Sequence, residues 1–150
     1  MVKKLKRIYF QKPSDDVSQR MRRIKSSGSS IEKIMARILR ARKIKYRTQL
    51  NLPGRPDFRL IGKNVLIFCD SSFWHGRRHK EITGKAFSKN KTFWINKLLD
   101  NKKRDVRINR KLKKGGWKVL RFWDTDIIKS PNKIIKKLEK CLNEEKIYGN

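Results

Sequence analysis

The run Val65-Leu66-Ile67-Phe68-Cys69-Asp70 decides how the chain is read. Its first five residues are apolar without alternation, the mark of a strand covered on both faces. It ends on a carboxylate. Residues 57–61 form a second strand candidate, and the intervening Gly62-Lys63-Asn64 joins the two as a β-hairpin. If Lys63-Asn64 is a two-residue loop, Gly62 pairs with Val65 and Asp57 falls opposite Asp70, with Cβ atoms roughly 4.5 to 5.5 Å apart. A slip of one residue sets Asp57 beside Cys69 and its backbone carbonyl instead. Either register gathers oxygen ligands at the end of a buried strand, and two carboxylates that close repel unless a cation lies between them. Magnesium fits such a place, because it takes oxygen ligands and is commonly held by one or two carboxylates together with waters and substrate phosphate. The plainer alternative is a pair of strand-end aspartates that cap turns.

Upstream, Ser29-Ser30-Ile31-Glu32 fits a capping box, and Ile31, Ile34, Met35, Ile38 and Leu39 recur at helical spacing, which predicts a helix over about residues 30–43. A short strand around 46–50 and the turn-rich Pro53-Gly54-Arg55-Pro56 follow. Downstream, residues 71–92 lack a period and read as a long loop. A helix over about 92–114 is closed by Gly115-Gly116, with Lys111, Lys113 and Lys114 at its carbonyl end. Residues 117–123 are a strand, and Ser130-Pro131 opens the last helix. The order α, β, β, β, α, β, α implies an α/β fold, a mixed sheet flanked by helices.

Within the long helix, Trp94, Leu98, Asn101, Asp105, Ile108 and Leu112 share one stripe. Asp105 therefore lies on the apolar face. A buried carboxylate is costly alone, so a specific donor, an arginine or a metal-linked water is expected beside it. His75 and His79 are separated by Gly76-Arg77-Arg78, which suits a basic loop better than a zinc site. One histidine near a phosphate can still move a proton at neutral pH. Phe73-Trp74 suits the core on composition and a wedge between bases on its basic surroundings.

The chain has 150 residues, 42 Lys or Arg, 13 Asp or Glu and a formal charge of +29, which favours a polyanion partner. Four Trp, seven Phe, three Tyr and 37% apolar residues exclude a disordered basic tail. Residues 1–20, with Lys3, Lys4, Lys6, Arg7 and Lys12, read as a basic arm, and 21–150 as a single domain. No run approaches the roughly 18 to 20 apolar residues of a membrane span, and no secretory core follows the start, so a cytoplasmic protein is expected. Cys69 and Cys141, without a CxxC, provide no disulfide framework.

Four ordered motifs resemble the very short patch repair (Vsr) mismatch endonucleases: Gly54-Arg55-Pro56-Asp57-Phe58; Val65 through Asp70 continued by Ser71-Ser72-Phe73-Trp74-His75-Gly76; Asn101-Lys102-Lys103-Arg104-Asp105; and Gly116-Trp117-Lys118-Val119-Leu120-Arg121-Phe122-Trp123. Arg20-Met21-Arg22-Arg23-Ile24 through Ile31-Glu32 fits as well, so the likeness spans about residues 18–124. It implies a restriction-endonuclease-like fold of the PD-(D/E)xK type and a magnesium-dependent endonuclease that nicks one strand 5′ to the thymine of a T·G mismatch.

By the same resemblance, Asp57 binds metal with the Cys69 carbonyl, and His75 activates the attacking water. Asp105 orients it, and Glu32 matches a glutamate near the metal. Asp70 is a further metal candidate at a position where the family varies. Phe73 and Trp74 fall on the aromatic wedge beside the mismatch and Met21 on a residue inserted from the other groove. Arg22, Arg23, Arg77 and Arg78 are the basic residues expected to grip phosphates. Double-stranded DNA is the implied partner, MutL a candidate one, and a monomer the expected state. Ser72, Arg77 and Thr125 stand where many family members have structural-zinc ligands, so no structural zinc is expected. A non-catalytic DNA-binding protein with an endonuclease-like fold is the rival reading, and a nuclease with a restriction-type or structure-specific target is a third.

Overall fold

A computed structural model describes residues 30–72 and 91–148. Its elements, in chain order, are α1 (Ser30–Ala41), β1 (Tyr46–Arg47), β2 (Phe58–Leu60), β3 (Val65–Asp70), α2 (Lys91–Lys114), β4 (Lys118–Trp123), α3 (Asp124–Lys129) and α4 (Pro131–Tyr148). The strands form one sheet in the order β1-β2-β3-β4, antiparallel except for the parallel pair β3–β4. This is the mixed sheet flanked by helices that the sequence implies. The proposed arm over residues 1–20 lies outside the described residues.

Alternation along β3 sorts its side chains between two layers. Val65 and Ile67 join Met35 and Leu39 of α1, Phe122 of β4, Ile127 of α3 and Ile134 and Leu138 of α4 in the larger core. Leu66 and Phe68 face the other way and pack with Leu112 and Ile108 of α2 and with Trp117 and Val119. Both faces of the strand are thus covered, which is why its composition does not alternate.

Helix ends explain the boundaries. α1 stops two residues short of the expected 43 because Lys43 takes φ +57° and the Ile44 N–H turns back to the Leu39 carbonyl at 3.0 Å, a left-handed cap. Gly116, at φ +86°, closes α2 in the same way, with the Trp117 N–H bonded to the Leu112 carbonyl at 3.1 Å. The short helix α3 was not foreseen in the sequence.

The hairpin register corrects both expected ones. Phe58 pairs with Ile67 and Arg59 with Leu66, which places Asp57 opposite Phe68, neither Asp70 nor Cys69. The connection is longer than Lys63-Asn64: Ile61 donates its N–H to the Lys45 carbonyl at 2.9 Å, beside β1, and Gly62 makes the reversal at φ +77°. Among the described residues no helix is long and apolar enough to cross a membrane.

Candidate active site

The turn ahead of Asp57 is formed by backbone that side chains resist. Gly54 has φ +75° and Arg55 φ +51°, and the Arg55 N–H closes onto the Leu52 carbonyl at 2.9 Å. Gly54 also lies under α2, where a Cβ would stand 2.7 Å from Cγ2 of Ile108. This contact seats the chain against the long helix and delivers Asp57 to the β2–β3 pair.

Two hydrogen bonds then hold Asp57 across the hairpin. Its N–H donates to the Ile67 carbonyl at 2.9 Å, and its Oδ2 accepts the Cys69 N–H at 2.6 Å. Glu32, in the first turn of α1, comes within hydrogen-bonding reach of the same carboxyl. Burial pushes Asp57 up to about 7; the Cys69 amide opposes this, while the charge and hydrogen bond of Glu32 and the charge of Asp70 add to it. The Cys69 thiol is also raised, first by burial and then by Asp57, Glu32 and Asp70. It stays protonated, so the backbone of Cys69 is the part able to serve an ion.

Glu32 and Asp57, from different elements, therefore meet beside Cys69. Among the described residues no three Asp, Glu, His or Cys side chains gather as a metal-holding group. The donor chemistry nevertheless suits magnesium, which needs only one or two carboxylates when phosphate and water complete its shell. Two half-buried carboxyls brought this close are a place where a cation relieves repulsion.

Asp70 is engaged differently. Its two oxygens accept from Nη1 of Arg121 at 2.9 and 3.0 Å. Asp105 lies on the inward face of α2, as its stripe requires, and its Oδ1 is 3.8 Å from the same Nη1. The arginine expected beside it is thus present. Sequence reasoning missed Arg121, one basic residue among 42, although its place on the same sheet face as Asp70 was a usable signal. Asp124 was also missed. Its Oδ1 accepts the Ser72 N–H at 3.0 Å and the Thr125 N–H at 2.7 Å, tying together two positions expected to lack zinc ligands. Met21, Arg22, Arg23, Phe73, Trp74, His75, Arg77 and Arg78 lie outside the described residues.

The sequence model of the DNA mismatch endonuclease Vsr family matches residues 12–81. The type II nicking enzyme V.HpaIIP of Haemophilus parainfluenzae is 34% identical over 121 residues, covering 80% of this chain and 85% of its own length. V.NmeDIP of Neisseria meningitidis serogroup C, also a type II nicking enzyme, is 34% identical over 126 residues, covering 81% of this chain and 82% of its own length. The DNA mismatch endonuclease Vsr of Escherichia coli is 35% identical over 108 residues, 71% of this chain and 68% of its own length. The stretch matched by the family model includes Glu32, Asp57 and Cys69, and with the relatives' likeness along most of its length the chain belongs to the Vsr family of endonucleases.

Proposed function

We propose that this chain is a magnesium-dependent enzyme of the PD-(D/E)xK type that nicks one strand of duplex DNA 5′ to the thymine of a T·G mismatch. The observation that carries the reading is the meeting of Glu32 and Asp57 beside Cys69, with Asp57 pinned by the Cys69 amide at 2.6 Å. Asp57, Glu32 and the Cys69 carbonyl hold the ion, which when bound supplies positive charge to the scissile phosphodiester. Asp70 is left out of the ligand set because Arg121 engages both of its oxygens.

His75 takes the proton of the attacking water and Asp105 orients that imidazole, roles assigned from sequence position. Phe73, Trp74 and Met21 open the mispaired step, which costs less to unstack than a matched one. Arg22, Arg23, Arg77 and Arg78 grip phosphates, and the charge of +29 draws the duplex in. The acting form is a monomer in the cytoplasm, and MutL is the candidate partner.

End-labelled duplexes carrying T·G, other mismatches or none, incubated with and without magnesium, test the reading. The expected result is a single nick in the thymine strand of the T·G duplex, only with magnesium, and lost in Asp57→Ala while duplex binding persists. Equal cutting of matched DNA favours a restriction-type target. Salt-dependent binding without scission at any magnesium concentration favours the non-catalytic protein.

A further inference from the structure

Arg121 stands on the face of the sheet covered by α2, paired in parallel register with Phe68. Its guanidinium lies over the Phe68 ring at 4.0 Å. Around its edge, Nη1 holds both oxygens of Asp70, Nε donates to Oδ1 of Asn109 at 2.8 Å, and Asp105 sits 3.8 Å from Nη1. Nη2 is buried and has no hydrogen-bond partner among the described residues. Two elements thus converge on one cation, β3 through Asp70 and Phe68, and α2 through Asp105 and Asn109.

The contacts are unequal in a way that matters. Asp70 is taken at hydrogen-bond length, whereas Asp105 is held by charge at a longer separation, so Arg121 does not occupy Asp105 with a short bond. Stability alone is a weak reason for this arrangement, because a buried ion pair is commonly replaced by apolar side chains without loss. The arrangement does fix where the Asp105 carboxylate stands relative to β3, the strand that carries Cys69 and receives Asp57.

We propose that Arg121 is a positioning residue of the nicking site, acting through Asp105 while Asp70, Asn109 and Phe68 hold it in place. The inference rests on the role given to Asp105 above. Arg121 acts through Asp105 rather than on the reacting atoms, and its effect is on the chemical step.

The experiment compares single-turnover nicking, duplex Kd and Tm for wild type, Asp105→Asn, the double variant Asp70→Leu/Arg121→Met, and the triple combination. The double variant removes Arg121 and its hydrogen-bonded partner Asp70 together, so neither is left without the other, while Asp105 keeps its charge and loses the guanidinium 3.8 Å away. Its expected behaviour is a Tm near wild type, an unchanged Kd and a nicking rate lowered by about 10- to 100-fold, the scale on which misplaced catalytic groups act. Adding Asp105→Asn to it is expected to cost nothing further beyond the loss Asp105→Asn causes alone.

If the double variant nicks at the wild-type rate while Asp105→Asn is impaired, the inference is overturned. Losses that multiply in the triple variant overturn it too. Should Asp105→Asn itself nick normally, the role of Asp105 fails instead. If the double variant does not fold, Asn109→Ala, which removes only the Nε tether, takes its place: a slower rate that vanishes in the Asp105→Asn background supports the inference, and an unaltered rate overturns it.

Discussion

Asp57 and Cys69 are joined across the hairpin by a 2.6 Å bond from the Cys69 N–H to Oδ2 of Asp57. The bond places a carboxylate that burial and Glu32 hold up to about 7 beside the backbone of a strand packed on both faces.

That raised value sets a pH dependence. Folded Asp57 keeps its proton up to about pH 7, whereas the ordinary value is 3.8, so between these limits the folded state binds the extra proton. Metal-free stability from this group is therefore present at low pH, falls as pH rises through the window and then levels off. Asp57→Asn should match wild type near pH 4 and exceed it at pH 8 by at most a few kcal/mol. Urea unfolding at both pH values measures this, and an equal difference at the two would contradict it.

Magnesium and the proton compete for the same carboxylate. With Asp57 near 7, the ion should bind about tenfold more weakly at pH 6 than at pH 8. The rise in Tm on adding magnesium should follow the same order and disappear in Asp57→Asn. Calorimetric scans across a magnesium series at each pH check this; a shift independent of pH would remove Asp57 from the binding set.

Gly54 and Gly62 provide a matched pair. Both have positive φ, but a Cβ at Gly54 would strike Ile108, whereas at Gly62 nothing lies within 4 Å. Gly62→Ala should cost only left-handed strain, about 1 to 2 kcal/mol. Gly54→Ala should add about 1 to 3 kcal/mol of overpacking and slow nicking, since it displaces the turn leading to Asp57. Equal denaturation midpoints for the two variants would contradict the packing argument.

Asp124 ties Ser72 to Thr125 by accepting both of their backbone N–H groups. Asp124→Ala should lower stability by about 1 to 3 kcal/mol, because two amides lose an acceptor. With no magnesium added, a strong zinc chelator should leave the Tm of the wild-type chain unchanged. Stoichiometric zinc after stringent dialysis would overturn the zinc-free expectation.

Legibility followed burial and length. β3 is read to the residue, Val65–Asp70, because both of its faces are packed and nothing polar interrupts it. α2 is found within one residue because twenty-four positions give the helical period room to repeat. The hairpin register is hidden because it depends on Ile61 bonding to Lys45 next to β1, a strand only two residues long. α3 spans six residues, too few for a period to emerge. Asp57 and Asp105 are both legible from pattern and resemblance, and the meeting of Asp57 with Glu32 came from the resemblance alone. Arg121 is not legible, because a basic side chain in so basic a chain carries no signal until the parallel pairing sets it beside Asp70.

The two-residue β1 at one border of the sheet has a consequence for how copies of the chain treat one another. Exposed strand borders invite polymerisation, and Val65-Leu66-Ile67-Phe68 is the kind of segment that drives it once released. Here that segment is sheltered between β2 and β4, and the border beyond is brief and accompanied by exposed Lys43, Lys45 and Arg47. Two such borders brought together oppose like charges. Light scattering of Gly54→Ala with increasing salt should therefore show clumping that begins only as those charges are screened.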